Sequence, residues 1–196
     1  PATVRGSDKR TDLALLEIDA NEPLPFVSFG DSDHARVGDW VIAIGNPFGL
    51  GGTTTSGIVS ARGRDINNGP YVDYIQIDAS INRGNSGGPL FNNAGEVIGV
   101  NTAIFSPNGG SVGIGFAIPA SLAQNVISQL RDSGQVARAW LGVEIQTVGP
   151  DIAQSLGLDE PHGALVSRIS PDSPASRSDL HTGDVIVSLN NEPVKR

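Results

Sequence analysis

The chain of 196 residues has no cysteine and no methionine. Without cysteine there is no disulfide, no thiolate metal site and no thiol nucleophile. That absence is compatible with an oxidising compartment and does not require one. With Pro1 first and no methionine, the translational start is missing, so the lack of a leader peptide says nothing about export. The chain is expected to be a piece of a longer one. Aromatic residues make up only 5% and charged residues 17%, and the 13 Lys and Arg are outnumbered by 21 Asp and Glu, for a net charge of −8. Such a balance does not advertise nucleic-acid binding. No apolar run is long enough for a membrane-spanning helix.

Glycine and proline are abundant instead, with 25 and 13 residues. The glycines follow no three-residue period, so the load of turn formers favours short strands over a helix bundle or a collagen. Short apolar runs recur at Ala2–Val4, Leu13–Ile18, Trp40–Ile44, Ser56–Ser60, Tyr74–Ile77, Val97–Val100 and Gly115–Ile118, separated by Gly, Asn and Pro. That rhythm predicts an all-β barrel or sandwich. It breaks once. Pro119 and Ser121 give a start signal, Leu122, Val126, Ile127 and Leu130 fall at helical spacing, and Gly134 is a natural stop. After a boundary at about 134–139 the strand pattern resumes at Trp140–Ile145, Gly163–Val166 and Asp184–Leu189.

The stretch Asn82–Leu90 carries the most chemistry, with Gly84, Gly87 and Gly88 around Ser86. Acyl transfer needs a nucleophilic oxygen on a tight turn and backbone N–H groups aimed at the developing oxyanion. Gly84 can adopt a backbone geometry closed to other residues, which turns its N–H inward. The same pattern also suits a plain Gly-rich hairpin turn with an exposed serine. Asp12, directly before the apolar run Leu13–Leu16, can orient a histidine and stabilise its imidazolium. It can equally be a strand-initiating Asp bonded to its own loop. Gly113–Gly115 and Gly45–Gly52 do not lead from a strand into a long helix, so neither is a phosphate cradle. No His, Asp or Glu cluster has metal-ligand spacing, and no cofactor is expected.

Taken together, the segments Gly6–Asp8, Arg10–Leu15, Gly30–Asp33, Val37–Asp39, Ala43–Gly49, Thr55–Ala61, Ile81–Leu90, Gly95–Ala103, Gly113–Pro119 and Gly183–Ile186 resemble the HtrA family (DegP/DegQ type) of trypsin-like serine proteases with C-terminal PDZ domains. The resemblance implies a mainly β fold: a trypsin-like double β-barrel, its first barrel incomplete, followed by a partial PDZ domain. The protease part would cover residues 1–118, a linker helix 119–134 and the PDZ part 138–196. Ser86 would be the nucleophile and Asp12 the triad carboxylate, with Gly84 and Ser86 giving oxyanion-hole N–H groups and Arg83 in the same loop. Ile81, Phe105 and Ile114 would line an apolar S1 pocket suited to small or medium aliphatic residues. Ser80 stands where a trypsin-type pocket carries an acidic residue. Arg64 would belong to a regulatory sensor loop within residues 63–72, and Trp140, Leu141, Gly142 and Val143 to a loop that grips a peptide C-terminus.

The triad also needs a general base, and in trypsin-like enzymes the histidine precedes the aspartate. The chain has three histidines, His34, His162 and His181, and none precedes Asp12. The sequence is therefore expected to lack its own base and to have no turnover alone. As implied by the resemblance, the intact protein would be an ATP-independent serine endoprotease of periplasmic or cell-envelope quality control. Its partners would be unfolded or misfolded polypeptides and peptide C-termini, and it would assemble as a trimer-based homo-oligomer. The alternative is a non-catalytic chaperone or peptide-binding scaffold.

Overall fold

The computed structural model describes residues 2–66, 69 and 71–194. The chain divides into two compact units, residues 1–137 and 138–196. In the first, β1 (Ala2–Asp8) and β2 (Leu13–Ile18) form an antiparallel hairpin. Then come β3 (Trp40–Gly45), β4 (Thr53–Arg64), β5 (Tyr74–Ile77), β6 (Pro89–Phe91), β7 (Val97–Ile104) and β8 (Gly115–Pro119). These six close into a barrel in the order β3-β4-β5-β8-β7-β6. Closure leaves no unpaired sheet edge.

Alternation fills the barrel. On β3, Val41 and Ala43 point inward and are fully buried, while Trp40, Ile42 and Ile44 face out. The interior is packed by Val41, Val59, Ile75, Ile77, Ile81, Leu90 and Ile98. A second cluster, with Leu13, Tyr74, Phe116, Ala123, Val126 and Leu130, joins β2, the barrel wall and the helix α1 (Ala120–Ser133). Tyr74 and Phe116 meet edge to face there, with ring centroids 6.3 Å apart. The helix expected as a linker is thus part of the first unit, held by the apolar stripe Ala120, Ala123, Val126 and Leu130.

The start of α1 is capped from a distance. Ser121 sits inside the first turn and gives no cap of its own. Instead the buried Ser32 accepts the Ser121 N–H through its Oγ at 3.0 Å, and Asp33 Oδ1 accepts the Ser121 hydroxyl at 3.0 Å. At the other end Gly134 takes the left-handed conformation, and its N–H donates to Leu130 O at 2.9 Å.

The second unit contains β9 (Val143–Thr147), α2 (Pro150–Leu156), β10 (Ala164–Ile169), β11 (Val185–Ile186), β12 (Ser188–Leu189) and β13 (Glu192–Pro193). Strands β11, β10 and β9 form one sheet, and β12 with β13 a hairpin. The helix α2 was not anticipated from the sequence, although Pro150 at its first turn, Asp151 beside it and the left-handed Gly157 at its end are ordinary helix boundary signals.

Candidate active site

Residues 78–88 connect β5 to β6, and 82–88 form two successive turns at the end of that connection. Asn85 N–H donates to Asn82 O and Gly88 N–H to Asn85 O, and Gly87 N–H donates to Asn101 O on β7 at 2.7 Å. Ser86 lies inside the second of these turns. Gly84 has φ of +107°, and a Cβ there would collide with the carbonyl oxygen of Asn46. The loop is strapped to the segment after β3: Phe48 N–H donates to Arg83 O at 3.0 Å, and Asn46 N–H to Gly84 O at 3.2 Å. No peptide bond in the described chain is cis. Because Phe48 engages the Arg83 carbonyl on one side of a trans peptide, the Gly84 N–H points to the other. Among the described residues neither the Gly84 nor the Ser86 N–H donates to a protein acceptor. Arg83 enters through its backbone carbonyl.

Ser86 and Asp12 meet at a third residue. Ser86 Oγ donates to the carbonyl oxygen of Thr102 at 2.9 Å, and Thr102 Oγ1 donates to Asp12 Oδ2 at 3.0 Å. The β7–β8 register shifts between Asn101 and Ala103, so Thr102 is the extra residue of a bulge. A bulge frees backbone groups and re-aims a side chain, and here it turns one residue toward both partners. Asp12 itself has φ of +58°. Thr102 was not singled out from the sequence, where it lies within an ordinary strand.

Among the described residues no hydrogen bond joins His34 to Ser86 or Asp12. His34 Nδ1 pairs with Asp31 Oδ2 at 2.6 Å in an exposed turn. That bond, followed by the Asp33 N–H, holds the Asp31 carboxyl below the usual aspartate range. His162 Nδ1 contacts Glu160 O, and His181 N–H donates to Asp184 Oδ2, both in the second unit. Among the described residues no group of His, Asp and Glu could hold a metal ion.

Beside Ser86 is a cavity of about 220 Å³, walled by Ile81, Asn82, Arg83, Thr102, Ala103 and Ile104. No acidic side chain lines it. Ser80 is not among the lining residues; it is exposed, and its carbonyl accepts the Thr55 hydroxyl at 3.0 Å. Of the three predicted pocket residues, Ile81 is in this wall. Phe105 and Ile114, joined by a 3.0 Å bond from Phe105 N–H to Ile114 O, line a neighbouring cavity of about 530 Å³. Arg64 lies in that second cavity, its Nε donating to Gln76 Oε1 at 3.0 Å. Ile104 lines both. Of the segment 63–72, positions 67, 68 and 70 lie outside the described residues.

In the second unit Trp140 and Leu141 are exposed, and Gly142 has φ of +81° where a Cβ would collide with Ser173. The carbonyls of Leu141 and Gly142 accept the N–H groups of Ala175 and Ser170, and the N–H groups of Leu141 and Gly142 have no acceptor among the described residues. Val143 opens β9.

The trypsin-like peptidase domain family matches residues 1–100, and the PDZ domain family matches residues 129–196. "Probable periplasmic serine endoprotease DegP-like" of Rhizobium meliloti (strain 1021) is 60% identical over 194 residues, covering 99% of this chain and 38% of the relative. The protein of the same name from Pseudomonas fulva (strain 12-X) is 53% identical over 193 residues, covering 98% and 40%. The chain therefore spans about two fifths of these curated relatives. Among solved structures, the HtrA-type protease AlgW with tripeptide superposes with a TM-score of 0.86 at 51% identity, covering 98% of this chain and 64% of that one. The serine endoprotease from Yersinia pestis gives 0.67 at 42%, covering 98% and 61%. The six-stranded barrel, the serine loop at its rim and these matches place the chain in the trypsin-like peptidase family, HtrA type.

Proposed function

We propose that this chain supplies the nucleophile, the carboxylate and the oxyanion hole of a serine endopeptidase. The observation that carries the reading is the Ser86–Thr102–Asp12 connection, which brings residues from a turn at position 12 and a loop at position 86 to one bulge. The base is a histidine that precedes Asp12, outside these 196 residues. Asp12 orients its imidazole and stabilises the imidazolium. Ser86 Oγ forms a bond to the carbonyl carbon of the scissile peptide while its proton passes to the imidazole. The oxyanion is held by the Gly84 and Ser86 N–H groups, which carry no competing acceptor. Collapse breaks the C–N bond as the imidazolium returns the proton to the leaving amine, and water then releases the acyl group by the same route.

The apolar side chains of Ile81, Ala103 and Ile104, with no acidic group among the lining residues, favour aliphatic P1 side chains, which unfolded or misfolded polypeptides expose. The curated relatives are named periplasmic, and we place this chain in the periplasm too. Among the described residues no helix is long and apolar enough to cross a membrane. The free N–H groups at Leu141 and Gly142 suit a peptide C-terminus. Arg64 is a regulatory residue in this reading, because Ile104 is a wall common to its cavity and the one at Ser86. The intact protein works as a trimer-based homo-oligomer.

A fluorophosphonate probe applied to the full-length protein tests this. Labelling and hydrolysis of unfolded casein are expected, with both lost in Ser86→Ala and peptide-stimulated labelling reduced in Arg64→Ala. Residues 1–196 alone are expected to show no turnover. A full-length protein that binds peptides yet is neither labelled nor hydrolytic would establish the non-catalytic scaffold instead.

A further inference from the structure

The turn that carries Asp12 holds a buried polar pair that the reaction itself does not use. Register pairs Asp8 with Leu13, leaving residues 9–12 as the hairpin loop. Thr11 N–H donates to Asp8 O at 3.3 Å, and Asp12 follows in the left-handed region with φ of +58°. Hairpin loops of this form put Gly, Asn or Asp at the left-handed residue, where other side chains are unfavourable.

The turn is held by a side-chain bond. Thr11 Oγ1 donates to Asp8 Oδ2 at 2.6 Å. Thr11 is 1% exposed and Asp8 7%, whereas Lys9, Arg10 and Asp12 are exposed. Burying a hydroxyl and a carboxyl in a surface turn is costly unless they are hydrogen-bonded, and the short Thr11–Asp8 bond meets part of that need. What the polar pair adds is direction. It fixes the backbone of Thr11, and so the direction in which the next side chain leaves the chain.

We infer that Asp8 and Thr11 are positioning residues that aim the Asp12 carboxylate at Thr102 Oγ1. The inference rests on the reading of Asp12 as the triad carboxylate. A carboxylate misplaced by a fraction of an ångström leaves substrate binding intact and slows the proton transfers, because orientation enters the barrier and not the ground-state contacts. The predicted signature is therefore a fall in kcat at constant KM.

The test uses the full-length protein and a chromogenic peptide substrate, with Thr11→Val removing the hydroxyl at equal size and Thr11→Ser keeping it. Thr11→Val is expected to lower kcat about 10- to 100-fold with KM changed less than about twofold, and Thr11→Ser to stay within about threefold of the parent. A folded Thr11→Val with the parent's kcat overturns the inference, as does a Thr11→Ser as slow as Thr11→Val. If Thr11→Val shows no cooperative melting, Thr11→Ala is read by the same criteria. If neither folds, the pair is structural and the inference falls. Asp12→Ala separates the two levels: an active Asp12→Ala removes the triad reading itself, whereas an inactive one beside a fully active Thr11→Val removes only the positioning role.

Discussion

Thr102 shows how much a single bulged residue can carry. Its hydroxyl serves Asp12 and its carbonyl serves Ser86, so a side-chain substitution removes only the first contact. Thr102→Val keeps the shape and the carbonyl but withdraws the donor from a carboxylate. A hydrogen bond to a charged group contributes about 1.5–3 kcal/mol, so kcat/KM of the full-length protein is expected to fall about 10- to 100-fold. Fluorophosphonate labelling of Ser86, followed in time, should slow in parallel. A labelling rate equal to the parent's would show that Asp12 does not depend on this hydroxyl. Ser86, Gly84 and Asp12 could be proposed from the sequence because the roles proposed for them need local chemistry: a glycine-flanked turn, and a carboxylate at a strand start. Thr102 could not, because its role arises from a register shift against β8. The cavity beside Ser86 is walled by Ile81 and by Thr102–Ile104 of the bulged strand, while Phe105 and Ile114 line the cavity of Arg64.

At the scale of elements, α1 shows both what local signals reveal and where they stop. Its apolar spacing and its terminal glycine were legible, and the helix runs over Ala120–Ser133. Its cap was not, because the acceptor comes from Ser32, 89 residues earlier. The segment Gly30–Asp33, otherwise an anonymous polar turn, thus acts as a distant cap and ties the chain after β2 to the helix. Losing a serine cap costs about 1 kcal/mol. Ser32→Ala is therefore expected to lower the melting temperature of the first unit by about 3–5 °C, read by circular dichroism, without changing labelling of Ser86 at 25 °C. An unchanged melting temperature would mean that the Ser121 N–H finds another acceptor at no cost. The missed helix α2 had its own signals at Pro150 and Gly157, but seven residues give too few turns for an apolar stripe to stand out.

For the molecule as a whole, a barrel was to be expected from the strand rhythm and the resemblance, but the strand pair that closes it was not legible. Pairing Ile42 with Phe91 brings β3 onto β6 across a long stretch of chain, and nothing local announces that contact. The run Trp40–Ile44 is apolar throughout, yet only alternate residues are buried, so an unbroken apolar run did not mean burial on both faces. The two units also differ in how much interior they possess. Against the two large clusters of the first, the buried hydrophobic residues described in the second are Val148, Ala153, Ala164, Val166 and Ala175. Three of these are alanines, which contribute little buried area. Domains of this size are held by roughly 0.05–0.15 kcal/mol per residue, and truncating a fully buried valine removes about 2 kcal/mol once the cavity is counted. Val166, on the central strand β10 and completely buried, is thus a large share of the second unit's stability. Val166→Ala in this 196-residue chain is expected to open residues 138–196 to thermolysin at 25 °C, while a core of residues 2–137 resists digestion. Equal protection of both units in the variant would mean that the second is held by more than its own interior.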